Sequence, residues 1–351
     1  MDEPSITVVV ATYDRPDALV AAIRGAQLQT VSNWRMLVVG DACGQGTADA
    51  IARLDDERVS YVNLAARCGE QGGPNSVGMR LAQTDYIAFL NHDDVWLPEH
   101  LADALEALAT SHASLYVARS AFAHATVETP DGRQRPGFSE VSPADRTLAQ
   151  AFDWAFFLFE PASSWVMRHE LAVEVGDWHP SRELHRTPLV DWLLRAWRAG
   201  ATLVTGDEIG VLKLNVHHQH RDGPLYGWGS KEQDWCVDRL TADGSDAVLR
   251  IVHDDLARAR ERRWPVRDWT TDTRGADARW QRLRERLVTE ATAEVFFETG
   301  WDVFNTACEL AERESGAELA KVLHERTGDV ITSAPPFADL AADAAFQLSR
   351  R

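Results

Sequence analysis

Cysteine is scarce in this 351-residue chain: Cys43, Cys68, Cys236 and Cys308 are the four, and no two form a C-x-x-C pair. That spacing argues against a disulfide framework or a zinc knuckle and leaves free thiols in a reducing compartment as the expectation. Long apolar runs are missing as well. No stretch of eighteen apolar residues occurs, so no transmembrane anchor is expected. The opening MDEPSITVVVATYD is acidic where a secretory signal would be basic. The location expected on these grounds is cytoplasmic, with peripheral work at the inner membrane face as an extension of it. Positive charge is in the minority, 36 Lys and Arg against 54 Asp and Glu, for a formal charge of −18. A broad nucleic-acid surface is therefore disfavoured, whereas a small anionic substrate is not, because one arginine or metal ion reverses the field inside a single cleft. Three phosphate and metal signatures are also missing: G-x-G-x-x-G after the first strand, where T-Y-D-R-P stands instead, a P-loop, and H-E-x-x-H.

What remains is a chain with a core to build. Its apolar fraction is 45% and it holds 13 tryptophans, enough for one large domain with an appendage. The β-branched run Ile6 to Ala11 reads as a first strand, followed by helix 17–29, strand 34–39, helix 48–54, strand 59–64, a glycine-rich loop 69–74, helix 75–83 and strand 86–90. This alternation predicts an α/β fold, a mostly parallel sheet flanked by helices. Further on, the pattern predicts helix 98–110, strand 114–126, a loop over 128–147, strand 163–167, helices 168–175 and 188–199, and two short strands, 202–205 and 210–216. From about residue 228 the composition turns helical and charge-rich. We divide the chain there, into a sheet domain 1–229 and a helical region 230–351 that packs on the sheet or joins two copies in a homo-oligomer.

The chemistry-bearing stretch is Tyr86 to His100, YIAFLNHDDVWLPEH. A buried strand runs straight into Asn91, His92, Asp93 and Asp94, at the place where open α/β sheets put ligands. Asp93, with Asp94 or His92 beside it, could bind Mg2+ or Mn2+, which prefer oxygen ligands and let substrate phosphates complete the shell. The cluster His217, His218, Gln219, His220 offers a nitrogen ligand, His218 being the candidate. Asp191, in PLVDWLLRAW, either pairs with Arg195 one helical turn on or serves as a general base facing the cleft.

Taken together these segments resemble the family-2 glycosyltransferases of the GT-A fold over residues 5–215. VVVATYDRP at Val8 to Pro16 is similar to the family's V-V-I-P-T-Y-N-R opening, and Gln29-Thr30 to the Q-T that ends its first helix. LVVGDACGQGT carries Asp41 at the second acidic place of the D-D-G-S turn, with Gly40 at the first. GGPNSVG keeps the asparagine of A-R-N as Asn75. Asn91, His92, Asp93 and Asp94 align with D-x-D-D, and Val190-Asp191 with the E-D pair. The resemblance implies a GT-A-like sheet with a C-terminal helical appendage, and inverting transfer from a nucleotide-diphosphate sugar, UDP-linked, to an acceptor hydroxyl with metal assistance. Thr12, Tyr13, Asp14, Asp41 and Asn75 would line the nucleotide pocket, Asn91 and His92 would flank the metal on Asp93, Asp191 would deprotonate the acceptor, and Trp178 would stack on an acceptor ring. The acceptor would be a saccharide, a glycolipid or a small molecule. A nucleotidyltransferase or a noncatalytic carbohydrate-binding protein are the competing functions.

Overall fold

The computed structural model describes residues 5–142, 161–180, 188–214, 231–261 and 336–350. Strand β1 (Ile6–Thr12) is buried at six of its seven positions, as a β-branched strand covered on both faces should be. Around it β2 (Trp34–Gly40), β3 (Val59–Asn63) and β4 (Tyr86–Phe89) form an all-parallel set in the order β3-β2-β1-β4. The crossovers are α1 (Pro16–Ala26), α2 (Gln45–Ala52) and α3 (Gly72–Leu81). Pro16 opens α1 with its fixed φ, and Asp17 and Arg24 sit where the helix dipole favours an acid and a base.

The glycine run expected as a loop is instead the first turn of α3. A Cβ on Gly73 would collide with Cys68, and one on Gly78 with the Val9 side chain. These glycines let the helix lie close on the sheet, and periodicity alone cannot tell that use from a turn.

Beyond β4 the sheet becomes mixed. The remaining strands are β5 (Asp94–Trp96), β6 (Leu115–Glu128), β7 (Gln134–Val141), β8 (Trp165–Arg168) and β9 (Leu203–Leu214), ordered β4-β8-β6-β9-β5 with β7 on β6. β8 is antiparallel to both β4 and β6, β9 is parallel to β6, and β5 is antiparallel to β9. Strand β7 replaces much of the loop expected at 128–147. It pairs with β6 alone, and on such an edge Pro136 is tolerated. The two short strands expected near 202–216 are one strand, whose irregularity is absorbed by register shifts opposite Val117, Arg119 and Ser120. Helices α4 (His100–Ser111), α5 (His169–Val175) and α6 (Pro188–Arg198) fall close to their expected bounds.

The described parts of the C-terminal region pack on the sheet. α7 (Lys231–Glu261), kinked at Gly244 where φ is 74°, contributes Trp235, Val237, Leu240 and Val252 to a core with Val95, Leu97, Phe138 and Leu212. A buried two-pronged pair, Arg135 to Asp255 at 2.5 and 2.8 Å, ties it to β7. α8 (Phe337–Ser349) lays Leu340, Ala341 and Ala344 on Leu37, Val39, Val62 and Val77. Gln347 then hydrogen-bonds both backbone groups of Asn63, covering the edge strand. No helix among the described residues is long and apolar enough to cross a membrane. Cys43, Cys68 and Cys236 are buried and form no disulfide; Cys308 lies outside the described residues.

Candidate active site

The carboxyl ends of β1, β2 and β4 bring three polar segments to one sheet edge, where no further strand hydrogen bonds are made. From β1, Thr12 is buried, Tyr13 is 38% exposed, and Asp14 takes a left-handed φ of 42°, a conformation aspartate tolerates. The Asp14 carboxylate accepts the Gly44 N–H at 2.7 Å, fixing the start of α2. From β2, Asp41 is 4% exposed, and its two oxygens accept the N–H groups of Cys68 and Gly69 at 2.6 and 2.8 Å. Burial raises its pKa above the usual carboxylate value, against the opposing pull of those amides and of Arg67. The Arg67 guanidinium lies 3.9 Å from the Tyr13 ring centre. Gly40 also has a structural reason: a Cβ there would come 2.6 Å from the Tyr61 hydroxyl and 2.7 Å from Asn63 Oδ1. Asn75 is buried in the second turn of α3.

At the end of β4 the four residues Asn91 to Asp94 divide their work. Asp94 is fully buried and accepts three hydrogen bonds, from Asn91 Nδ2 at 3.0 Å, Ser163 Oγ at 2.5 Å and Lys213 Nζ at 3.0 Å. Burial pushes its carboxyl pKa up and Lys213 pulls it back. For Lys213, burial works against the charge, but Asp93 and Asp94 outweigh it and raise its pKa. Asp93 shares Lys213 at 3.7 Å and the Arg15 guanidinium at 3.4 Å. Arg15 also approaches His92 Nε2 at 3.3 Å, while Nδ1 lies 3.1 Å from Thr12 Oγ1. A guanidinium can only donate, so Nε2 accepts and the ring proton sits on Nδ1. Burial lowers the His92 pKa to about 4, in keeping with that neutral tautomer. Gln233 of α7 donates to the His92 carbonyl at 3.0 Å, bracing the turn from behind.

Asp191 lies on α6, which packs against β8. Because Ala88 faces Val166 in the antiparallel β4–β8 pair, residues 163–165 lie beside residues 89–91, and the Asn91 N–H donates to Ser163 at 2.9 Å. Trp165 in turn packs on Trp192, the neighbour of Asp191, with ring centres 5.7 Å apart. The Asp191 carboxylate accepts Arg195 Nε at 2.9 Å and lies 3.0 Å from His179 Nδ1. Arg195 is itself held by the carbonyls of Val175 and Asp177, so the i,i+4 pair expected for Asp191 is formed and anchored.

Trp178 requires a correction. It is fully buried, edge-on to Phe89 and stacked on Trp165, so its ring is a wall of the core and not a platform for an acceptor. His218 lies outside the described residues.

The donor set at Asp93 does not suit a resident divalent cation. Both His92 ring nitrogens are engaged, Asp94 already accepts from three donors, and Asp93 already faces two fixed positive charges. Two unit charges ~4 Å apart interact by about 4 kcal/mol at an effective dielectric near 20, and a dication doubles the opposition from each. Among the described residues no group of three or more His, Cys, Asp or Glu is arranged to hold a metal.

Sequence reasoning overlooked four of these groups as site members: Arg15, Ser163, His179 and Lys213. Two of them left signals: Arg15 stands in the TYDRP segment, and Lys213 is a lone charge between apolar positions of a strand, which in a buried strand demands a partner.

Comparison with known proteins agrees with this architecture. The family described as Glycosyl transferase family 2 matches residues 7–176. The succinoglycan biosynthesis protein ExoW of Rhizobium meliloti is 32% identical over 115 residues, 32% of this chain and 36% of ExoW. The Escherichia coli UDP-Glc:alpha-D-GlcNAc-diphosphoundecaprenol beta-1,3-glucosyltransferase WfaP is 25% identical over 105 residues, 30% of this chain and 41% of WfaP. These matches therefore span well under half of either relative. Among solved structures, S. aureus TarS 1-349 in complex with UDP-GlcNAc is 18% identical, with 73% of each chain covered and a TM-score of 0.48. Over residues 7–176, through the first four strands and the acidic turn that ends β4, this chain is similar to glycosyl transferase family 2.

Proposed function

We propose that the protein is an inverting glycosyltransferase that moves a sugar from a UDP-linked donor to an acceptor hydroxyl. The observation that supports the reading is the gathering of Thr12, Asp14, Asp41 and Asp93 at the carboxyl ends of β1, β2 and β4; Asp191, held by Arg195 and His179 on α6, is the base we assign to that site. The nucleotide lies along the ends of β1 and β2. Tyr13 and Arg67 offer a stacking surface, and Asp41, whose carboxylate has about four lone-pair sites and uses two on amides, takes a further bond from the base. A uridine donor is supported by the donor in the WfaP name. That name also favours, among acceptors, a saccharide linked to diphosphoundecaprenol.

In the reaction, Asp191 removes the acceptor proton as the oxygen attacks the anomeric carbon. The bond from that carbon to the diphosphate breaks with its electron pair leaving on the β-phosphate. The products are a glycoside of inverted configuration, UDP, and a proton on Asp191. Arg195 and His179 hold the base in place throughout. The test is to incubate the protein with a panel of nucleotide sugars and acceptors and to measure nucleoside diphosphate release. Acceptor-dependent release is expected. Donor binding without turnover across the panel would reverse the reading in favour of a binding protein.

A further inference from the structure

We propose that the donor diphosphate is held by cations belonging to the chain itself, with Lys213 neutralising the Asp93–Asp94 couple and Arg15 meeting the phosphates, so that binding needs no divalent metal. The proposal deepens the donor reading above and rests on it. Lys213 and Asp94 are register partners on adjacent antiparallel strands, β9 and β5, so the backbone itself sets them opposite one another. The Lys213 side chain is 9% exposed and bridges the two carboxylates, 3.0 Å from Asp94 and 3.7 Å from Asp93. Arg15 follows the end of β1 and is anchored by His92 and Asp93.

The two acids and two bases therefore sum to zero charge in a chain whose formal total is −18. An acid pair alone would repel a diphosphate, and a metal would be needed to reverse that field. Here the repulsion is cancelled from within, and the arginine's flat fork suits phosphate oxygens. Cations fixed beforehand at the leaving group also stabilise the charge that grows there as the glycosidic bond breaks, without reorganisation at the moment of reaction.

The test is calorimetric titration of the full chain with UDP, in excess EDTA and in saturating manganese. The affinities should agree within about threefold. Arg15→Gln should weaken UDP at least about tenfold in EDTA. Lys213→Met uncovers the Asp93–Asp94 couple and leaves the cluster at net negative charge. This variant, with its fold checked by thermal melt, should bind UDP more weakly in EDTA and recover when manganese is added. Wild-type binding that appears only with manganese would overturn the proposal while leaving the donor reading intact. Metal-free binding that both variants leave unchanged would overturn the roles of Arg15 and Lys213. Failure to bind UDP, GDP, ADP or CDP under either condition would overturn the donor reading, and this proposal with it.

Discussion

Replacing Asp191 with asparagine separates its chemistry from its structural part. The carboxylate makes two charge-assisted contacts, to Arg195 Nε at 2.9 Å and to His179 Nδ1 at 3.0 Å. Asparagine keeps an oxygen for one of them and loses the charge, for a stability cost of about 1–3 kcal/mol at this buried carboxylate. Arg195 remains anchored by the Val175 and Asp177 carbonyls at 2.7 and 2.6 Å, so the loop beside the base should hold its position. The amide cannot take a proton, and a general base contributes about 10²–10⁴ in rate, equivalent to ~3–5 kcal/mol of barrier. Turnover of a UDP-sugar with a competent acceptor should fall by that factor, while UDP affinity by calorimetry stays within about threefold. A variant with wild-type turnover would refute Asp191 as the base. Loss of UDP affinity equal to the loss of turnover would instead make Asp191 a donor-binding group.

Other perturbations read the frame around the site. Asp41→Ala leaves the Cys68 and Gly69 amides without their acceptor, which should cost about 2–4 kcal/mol in chemical denaturation and weaken nucleotide binding; unchanged stability would show that the loop finds other partners. His100 is fully buried without a hydrogen-bond partner on either ring nitrogen, and burial lowers its pKa to about 3. Below pH ~6.5 the unfolded chain takes up a proton that the folded form refuses, so stability should fall by about 1.4 kcal/mol per pH unit as pH drops toward the folded value. His100→Leu should remove that share of the acid slope in thermal melts between neutral and mildly acidic pH, and an unaltered slope would rule His100 out as its source.

The parts legible in the sequence were those decided locally. Strands β1 to β4 are β-branched or apolar runs bounded by turn residues, and their boundaries fell within a residue or two. The acidic turn after β4 was legible for the same reason. Long-range pairing was not. The Lys213 bridge to Asp94 spans 119 residues, and nothing near either residue announces the other. Pro136 and Gly137 read as breakers because local propensity cannot know that β7 lies on an edge. Trp178 read as an acceptor platform because an aromatic near a glycine turn suits a ligand as well as a core, and only the packing of Phe89 and Trp165 against it decides.

A crystal structure with UDP bound tests the central claim most directly, since everything rests on one sheet edge receiving the nucleotide. The uracil should lie at the ends of β1 and β2 beside Asp41 and Tyr13, with the diphosphate oxygens within about 3.5 Å of the Arg15 guanidinium and the Asp191 carboxylate facing the sugar-bearing end. UDP seated away from this edge, or a β-phosphate turned away from Asp191, would contradict the account.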